Sequence, residues 1–140
     1  EKAVDIVHGA NRSGLMQSAE LGLNDRGRPT GAICNCCPDC CFPHLLSQHL
    51  KVETVWPKSR YIARPKPSRC TRCGRCARRC PFHALRIEKA KRDVSPRLIY
   101  HEERCRGCGI CAAGCPDQAI FMEKTRGLEA WEPEHLLNGY

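Results

Sequence analysis

Eight cysteines in the second half of the chain stand at spacings suited to metal chemistry. Cys70, Cys73, Cys76 and Cys80 read C-x2-C-x2-C-x3-C-P, and Cys105, Cys108, Cys111 and Cys115 repeat the pattern. Thiolates are soft donors that select iron–sulfur clusters, zinc or copper(I). Zinc usually takes C-x2-C pairs split by a longer gap, not two complete runs of this kind. The run is one that holds a cubane [4Fe–4S] cluster. Three thiolates spaced this closely can wrap one face of a cube, leaving the fourth iron to a distant cysteine. Gly74 and Gly109 let the chain turn tightly beside the sulfides, and backbone N–H groups there can hydrogen-bond sulfur. Pro81 and Pro116 turn the chain away.

A second group is denser. Cys34, Cys36, Cys37, Cys40 and Cys41 lie within eight residues. Thiolates so close repel one another unless a cation compensates them. Four of the five could hold a third Fe–S cluster or another metal at residues 34–41. They could equally form a redox-active thiol or disulfide site, or a structural or partner-shared cluster. The spacing C-x-C-C-x2-C-C matches neither run. Cys37-Pro38-Asp39-Cys40 is a C-x-x-C, but no thioredoxin-like βαβ pattern surrounds it. His44 and His49 follow and read better as packing or surface residues than as ligands. His83 takes the place of Gln118 in the repeat and has no special role.

Residues 68–124 resemble the bacterial-type ferredoxin family with two [4Fe–4S] clusters, on the strength of the two cysteine runs. The resemblance implies that the fourth cysteine of each run ligates the other cluster. Cluster one would take Cys70, Cys73, Cys76 and Cys115; cluster two would take Cys105, Cys108, Cys111 and Cys80. It also implies two β-α-β halves, an α+β ferredoxin-like module, and one-electron transfer at low potential. One departure is electrostatic: simple ferredoxins are usually acidic. Here Arg69, Arg72, Arg75, Arg78 and Arg79 crowd the first run, while Arg104 and Arg106 flank the second. A nearby cation stabilises the reduced, more negative cluster, so the first cluster is expected at the higher potential. The same arginines also suit docking of an acidic partner.

The elements that must position these residues follow from the repeat, whose period is 35. Gly74 matches Gly109 and Pro81 matches Pro116; Ala84, Leu85, Glu88 and Lys89 match Ala119, Ile120, Glu123 and Lys124. Tyr61-Ile62 and Leu98-Ile99-Tyr100 are expected as strands leading into the cysteine loops. Leu85-Arg86-Ile87 and Ile120-Phe121-Met122 are expected as strands leaving them. Upstream, Ala3, Val4, Ile6 and Val7 suggest one helical face, and Leu15, Met16, Ala19 and Leu23 another. Residues 24–29 read as a loop, and Pro43 opens a short helix through Leu50. The expected organisation is a helix/loop, Cys-rich extension at 1–57, the two-cluster module at 58–124, and a tail at 125–140. Trp56 and Trp131 are expected to pack. The tail, with Leu136, Leu137 and Tyr140, is expected to wrap its own domain or dock on a partner.

Composition narrows the function further. Among 140 residues, 41% are apolar, but thirteen of these are cysteines, an odd number that leaves one unpaired in a disulfide scaffold. Metal can supply the folding energy that a modest apolar core does not. No run approaches the ~20 apolar residues of a membrane span, and no signal-peptide pattern opens the chain at Glu1. The formal charge is +8; two oxidised clusters at roughly −2 each bring it to about +4. Residues 58–92 hold thirteen Lys or Arg, with Glu88 and, just beyond, Asp93 as the acids.

The leading expectation is an electron-transfer subunit or domain, serving an acidic redox protein or a larger oxidoreductase complex in an oxygen-poor cytoplasm. By itself it is not expected to be an enzyme. The alternative is a thiol/disulfide redox catalyst at the N-terminal cysteines, fed by the clusters. A nucleic-acid-binding module is disfavoured, because no such motif is present and stacking aromatics are few. No P-loop, dinucleotide fingerprint or nucleophile elbow occurs.

Overall fold

Four short strands frame the two cysteine runs, and each is made by the apolar segments that flank them. The computed structural model describes residues 2–50, 55–88 and 95–127. Strand β3 (Tyr61–Pro65) pairs antiparallel with β6 (Ile120–Lys124), with Ala63 opposite Met122. Strand β4 (Leu85–Glu88) pairs antiparallel with β5 (Arg97–Tyr100), with Ile87 opposite Leu98. The first strand of the region thus closes on the last, and the middle two close on each other. All four expected strands are present. Between them run helix α3 (Arg75–Arg79) and helix α4 (Ile110–Ala113), each preceded by a glycine in the left-handed region: Gly74 at φ 75° and Gly109 at φ 78°.

The local geometry recurs at an offset of 35. Short 3-10 turns occupy Pro67–Arg69 and Glu102–Arg104. Positive φ is found at Arg72 and Gly107, and again at His83 and Gln118. Lys66 N–H donates to Ala119 O, and His101 N–H to Ala84 O, at 2.7 and 2.8 Å. The second pair repeats the first with the halves exchanged. A shared core lies under the two sheets. Its buried side chains are small or thiol-bearing: Ala63, Ala84, Cys76, Cys105 and Cys111, with Leu85 and Ile120.

The N-terminal part differs from the expectation. Helix α1 (Lys2–Ser13) forms as its apolar spacing suggests, but the helical face expected at Leu15, Met16, Ala19 and Leu23 is strand instead. Strand β1 (Met16–Leu23) pairs antiparallel with β2 (Pro29–Cys36), Met16 opposite Cys36. The extension at 1–57 is therefore not only helix and loop. Two turns decide this. Gly14, at φ 96°, ends α1 in a conformation that a following helical residue does not share. Asn24 then closes the hairpin loop: its Oδ1 accepts from the N–H groups of Arg26 and Arg28, both at 3.0 Å. Four apolar residues over nine positions fit both periods, so their spacing alone was ambiguous.

Helix α2 (Phe42–His49) carries Pro43 in its first turn, where a missing N–H costs nothing. A second apolar cluster seats the extension on the cysteine module. Met16, fully buried, packs with Trp56, Phe82 and Ile110. Trp56 is thus a packing residue, as expected. Trp131, Leu136, Leu137, Tyr140 and Lys89 lie outside the described residues.

Candidate metal centres

Each cysteine run curls around a space that its own fourth cysteine does not line. Cys70, Cys73, Cys76 and Cys115 line one small cavity. Cys80, Cys105, Cys108 and Cys111 line a second, of similar size. The fold exchanges the fourth residues because β6 returns beside β3 and β4 beside β5, carrying each trailing cysteine across to the other run.

Backbone donors point at these sulfurs. Ala84 N–H donates to Cys80 Sγ at 3.3 Å, and Ala119 N–H to Cys115 Sγ at 3.2 Å. The Ala77 N–H similarly stabilises the Cys76 thiolate, and Ile110 N–H that of Cys108. Against this, burial drives the thiols toward neutrality, and the neighbouring sulfurs add repulsion. Cys76 is pushed up to about 11 by burial, then by Cys70, Cys115 and Cys73. Cys108 is pushed up to about 11 by burial, then by Cys80 and Cys105. Cys111 is raised further, by burial and then by Cys108, Cys80, Cys105 and Cys76. Cys76, Cys105 and Cys111 share one buried core, which sets the two cysteine groups side by side.

Four soft donors around one space, with thiol pKa values raised at the buried Cys76 in the first set and at Cys108 and Cys111 in the second, are a poor arrangement for free thiols and a good one for thiophilic metal, which removes the protons and supplies the missing positive charge. Among the described residues, no three His, Cys, Asp or Glu side chains converge where one metal ion would sit. The cysteines ring a space instead, which fits a polynuclear group better than a single ion. The donor sets therefore fit [4Fe–4S] clusters.

The surroundings of the two cavities are unequal. Arg72, Arg75 and Asp117 line the first, and Asp117 accepts from Thr71 Oγ1 at 2.5 Å. Arg106 and Tyr100 line the second. The Tyr100 hydroxyl is buried without a hydrogen-bond partner of good geometry, and the Cys105 thiol is near enough to act on it. Burial, and then that thiol, raise the Tyr100 pKa. Nothing in the cysteine spacing signals this tyrosine; it sits where the repeat has Pro65.

Of the five arginines around the first run, Arg79 is turned inward. Its guanidinium donates to the carbonyls of Ile110, Asn11 and Arg12 at 3.0, 2.9 and 2.8 Å. It thereby ties the C-terminal end of α1 to α4. Asn11 reaches the Cys108 carbonyl at 3.3 Å and Gln17 at 2.9 Å, and Gln17 reaches Asn35 at 3.1 Å. This polar chain links the second cysteine loop to the strand that carries Cys34 and Cys36. Arg12, Arg75 and Arg78 rim an open depression beside Cys115 and Pro116.

The N-terminal cysteines fall into pairs. Cys37 and Cys40 have their sulfurs 3.1 Å apart in the turn after β2. Cys36 and Cys41 also approach each other; burial, then the Cys41 thiol, push Cys36 up to about 12. Cys34 is exposed on β2. His44 is buried, edge-on to Trp56 and Phe82, with Nδ1 unpartnered; burial, then His83, lower its pKa. His49 is exposed.

Residues 69–120 match the family model of the 4Fe-4S dicluster domain. They mark a ferredoxin-type iron–sulfur domain within an α+β chain, and such a domain suggests iron–sulfur electron transfer. No curated protein and no solved structure matches the chain. Among the described residues, no helix is long and apolar enough to cross a membrane.

Proposed function

We propose that the chain is an electron-transfer protein or subunit that relays single electrons through two adjacent [4Fe–4S] clusters. The reading divides it into an extension at 1–57, a duplicated two-cluster module at 58–124, and a tail at 125–140. Cys70, Cys73, Cys76 and Cys115 hold cluster one; Cys105, Cys108, Cys111 and Cys80 hold cluster two. The observation that carries the reading is the pair of similar cavities, each lined by three cysteines of one run and the fourth of the other. Such clusters, when bound, supply reversible one-electron chemistry.

The chain's own residues supply the rest. Ala84 and Ala119 N–H groups stabilise negative charge on Cys80 and Cys115. Arg72 and Arg75 favour the more negative state at the first cavity, and the Tyr100 hydroxyl does so at the second. The depression rimmed by Arg12, Arg75 and Arg78 offers an acidic redox partner a landing place beside Cys115. The setting that suits exposed clusters is a reducing, oxygen-poor cytoplasm.

The test is an anaerobic reductive titration followed by electron paramagnetic resonance. Uptake of about two electrons per chain, with a signal from two interacting centres, is expected. One isolated centre would refute the reading.

A further inference from the structure

Cys37 and Cys40 enclose Pro38 and Asp39, and their sulfurs stand 3.1 Å apart. A disulfide needs about 2.05 Å. Two thiolates sharing one tetrahedral zinc-like ion, with bonds of about 2.3 Å, would stand about 3.8 Å apart. The observed separation is shorter than such an ion would hold and about 1 Å longer than the bond, so a small rotation of either side chain closes it. Cys40 is exposed and Cys37 half-buried, so a disulfide in solution can reach the pair. Three donors face the Cys37 sulfur: the Cys40 thiol and the N–H groups of Cys40 and Asp39. With the two sulfurs this close in a C-x-x-C turn, one thiol can attack a disulfide and the other resolve it.

The pair also has a route to the second cavity. Cys36 and Cys41, its chain neighbours, pack against the cluster of Met16, Trp56, Phe82 and Ile110. Cys80 and Cys108, which line the second cavity, pack against that same cluster. The hydrogen-bonded series Asn35, Gln17 and Asn11 ends on the Cys108 carbonyl. The extension is therefore seated where electrons would leave the second centre.

We propose that Cys37 and Cys40 form a dithiol–disulfide site that reduces an exposed disulfide with electrons delivered from the iron–sulfur centres. It rests on the two-cluster reading for its reductant. The Cys37 thiolate attacks one sulfur of the substrate disulfide, forming a mixed disulfide and releasing one thiol. Cys40 then attacks Cys37 Sγ, closing the Cys37–Cys40 disulfide and releasing the second thiol. That disulfide takes up two electrons, one from each reduced centre, and two protons, and both thiols return. Two one-electron stores match the two electrons that one disulfide needs.

The test uses the full chain, purified without oxygen, with hydroxyethyl disulfide as the probe. Treated with the probe while its clusters are oxidised, the protein should gain one internal disulfide, mapped by mass spectrometry to Cys37 and Cys40. Photoreduced and then given the probe, it should recover its visible cluster absorbance, consuming two electrons per probe disulfide cleaved. In Cys40→Ser the mixed disulfide should persist on Cys37, and recovery should slow by at least about tenfold, because the resolving thiol is lost. Iron and sulfide in that variant should equal those of the parent. Recovery at the parental rate in a fully loaded Cys40→Ser variant would overturn the proposal alone. So would a disulfide at Cys36–Cys41, or Cys37 and Cys40 held on a third metal centre. A parent without two clusters would instead overturn the reading above, and the delivery of electrons with it.

Discussion

At the residue scale, the proposed exchange of fourth ligands has a sharp consequence. Cys115→Ser should alter the same paramagnetic signal as Cys73→Ser, although Cys73 belongs to the other run. The signal that responds to Cys108→Ser should stay intact. If Cys115→Ser instead behaved like Cys108→Ser, the shared cavity of Cys70, Cys73, Cys76 and Cys115 would mean nothing for ligation. Tyr100 allows a second test. Its buried hydroxyl has the Cys105 sulfur beside it, and a donor there stabilises the reduced state. A net hydrogen bond of about 1 kcal/mol corresponds to roughly 40 mV for one electron. Tyr100→Phe should therefore lower the potential of the second centre by about that amount, read by redox titration, with the first centre unmoved. The two cysteine runs were legible because their spacing is a local pattern, whereas the exchange of fourth cysteines was expected from the family resemblance and not from spacing. Tyr100 was not, because its meaning depends on β5 passing over the second loop. The arginines were legible as charge but not as geometry. Arg72 and Arg75 line the first cavity, whereas Arg79 is spent on backbone carbonyls.

At the scale of elements, Arg79 holds the extension in place. Three charged-donor bonds to the carbonyls of Asn11, Arg12 and Ile110 are removed together in Arg79→Ala. The expected cost is about 2–4 kcal/mol after allowing for partial exposure. It should appear as faster amide exchange in α1 and β1. Gly114→Ala should reproduce it, since a Cβ there would stand 2.2 Å from Arg79 Nε. The cysteine loops make a second contrast. Gly107 has φ 73°, and a Cβ there would lie 2.0 Å from the Tyr61 carbonyl oxygen. Gly107→Ala should cost at least about 3 kcal/mol, because backbone strain and a clash with β3 coincide. Gly109, at φ 78°, has nothing within 4 Å of such a Cβ. Gly109→Ala should cost only about 1 kcal/mol. Thermal or denaturant unfolding of the loaded protein separates the two. The strands of the repeat were legible because β-branched and aromatic residues flank each run. The β1–β2 hairpin was not, because Gly14 and the Asn24 loop, not the apolar spacing, decide it.

At the scale of the whole molecule, the described residues are held by few large side chains. Among the described residues the shared core consists mainly of alanines and cysteines, and the second cluster of Met16, Trp56, Phe82 and Ile110 is small. Bound metal is therefore expected to supply much of the folding free energy. Chelation of iron should abolish the cooperative thermal transition and the near-ultraviolet circular dichroism, and reconstitution with iron and sulfide should restore both. A cooperative melt in the apo chain would show that the apolar clusters suffice alone. The basic character was evident from composition, but its placement beside Cys115 needed the fold to bring α1 and α3 together.

The central claim is two [4Fe–4S] clusters on eight cysteines, and the direct measurement is iron and acid-labile sulfide per chain in anaerobically purified protein. The account predicts about eight of each, leaving Cys37 and Cys40 as thiols or a disulfide. Little or no sulfide in fully metal-loaded protein would contradict it.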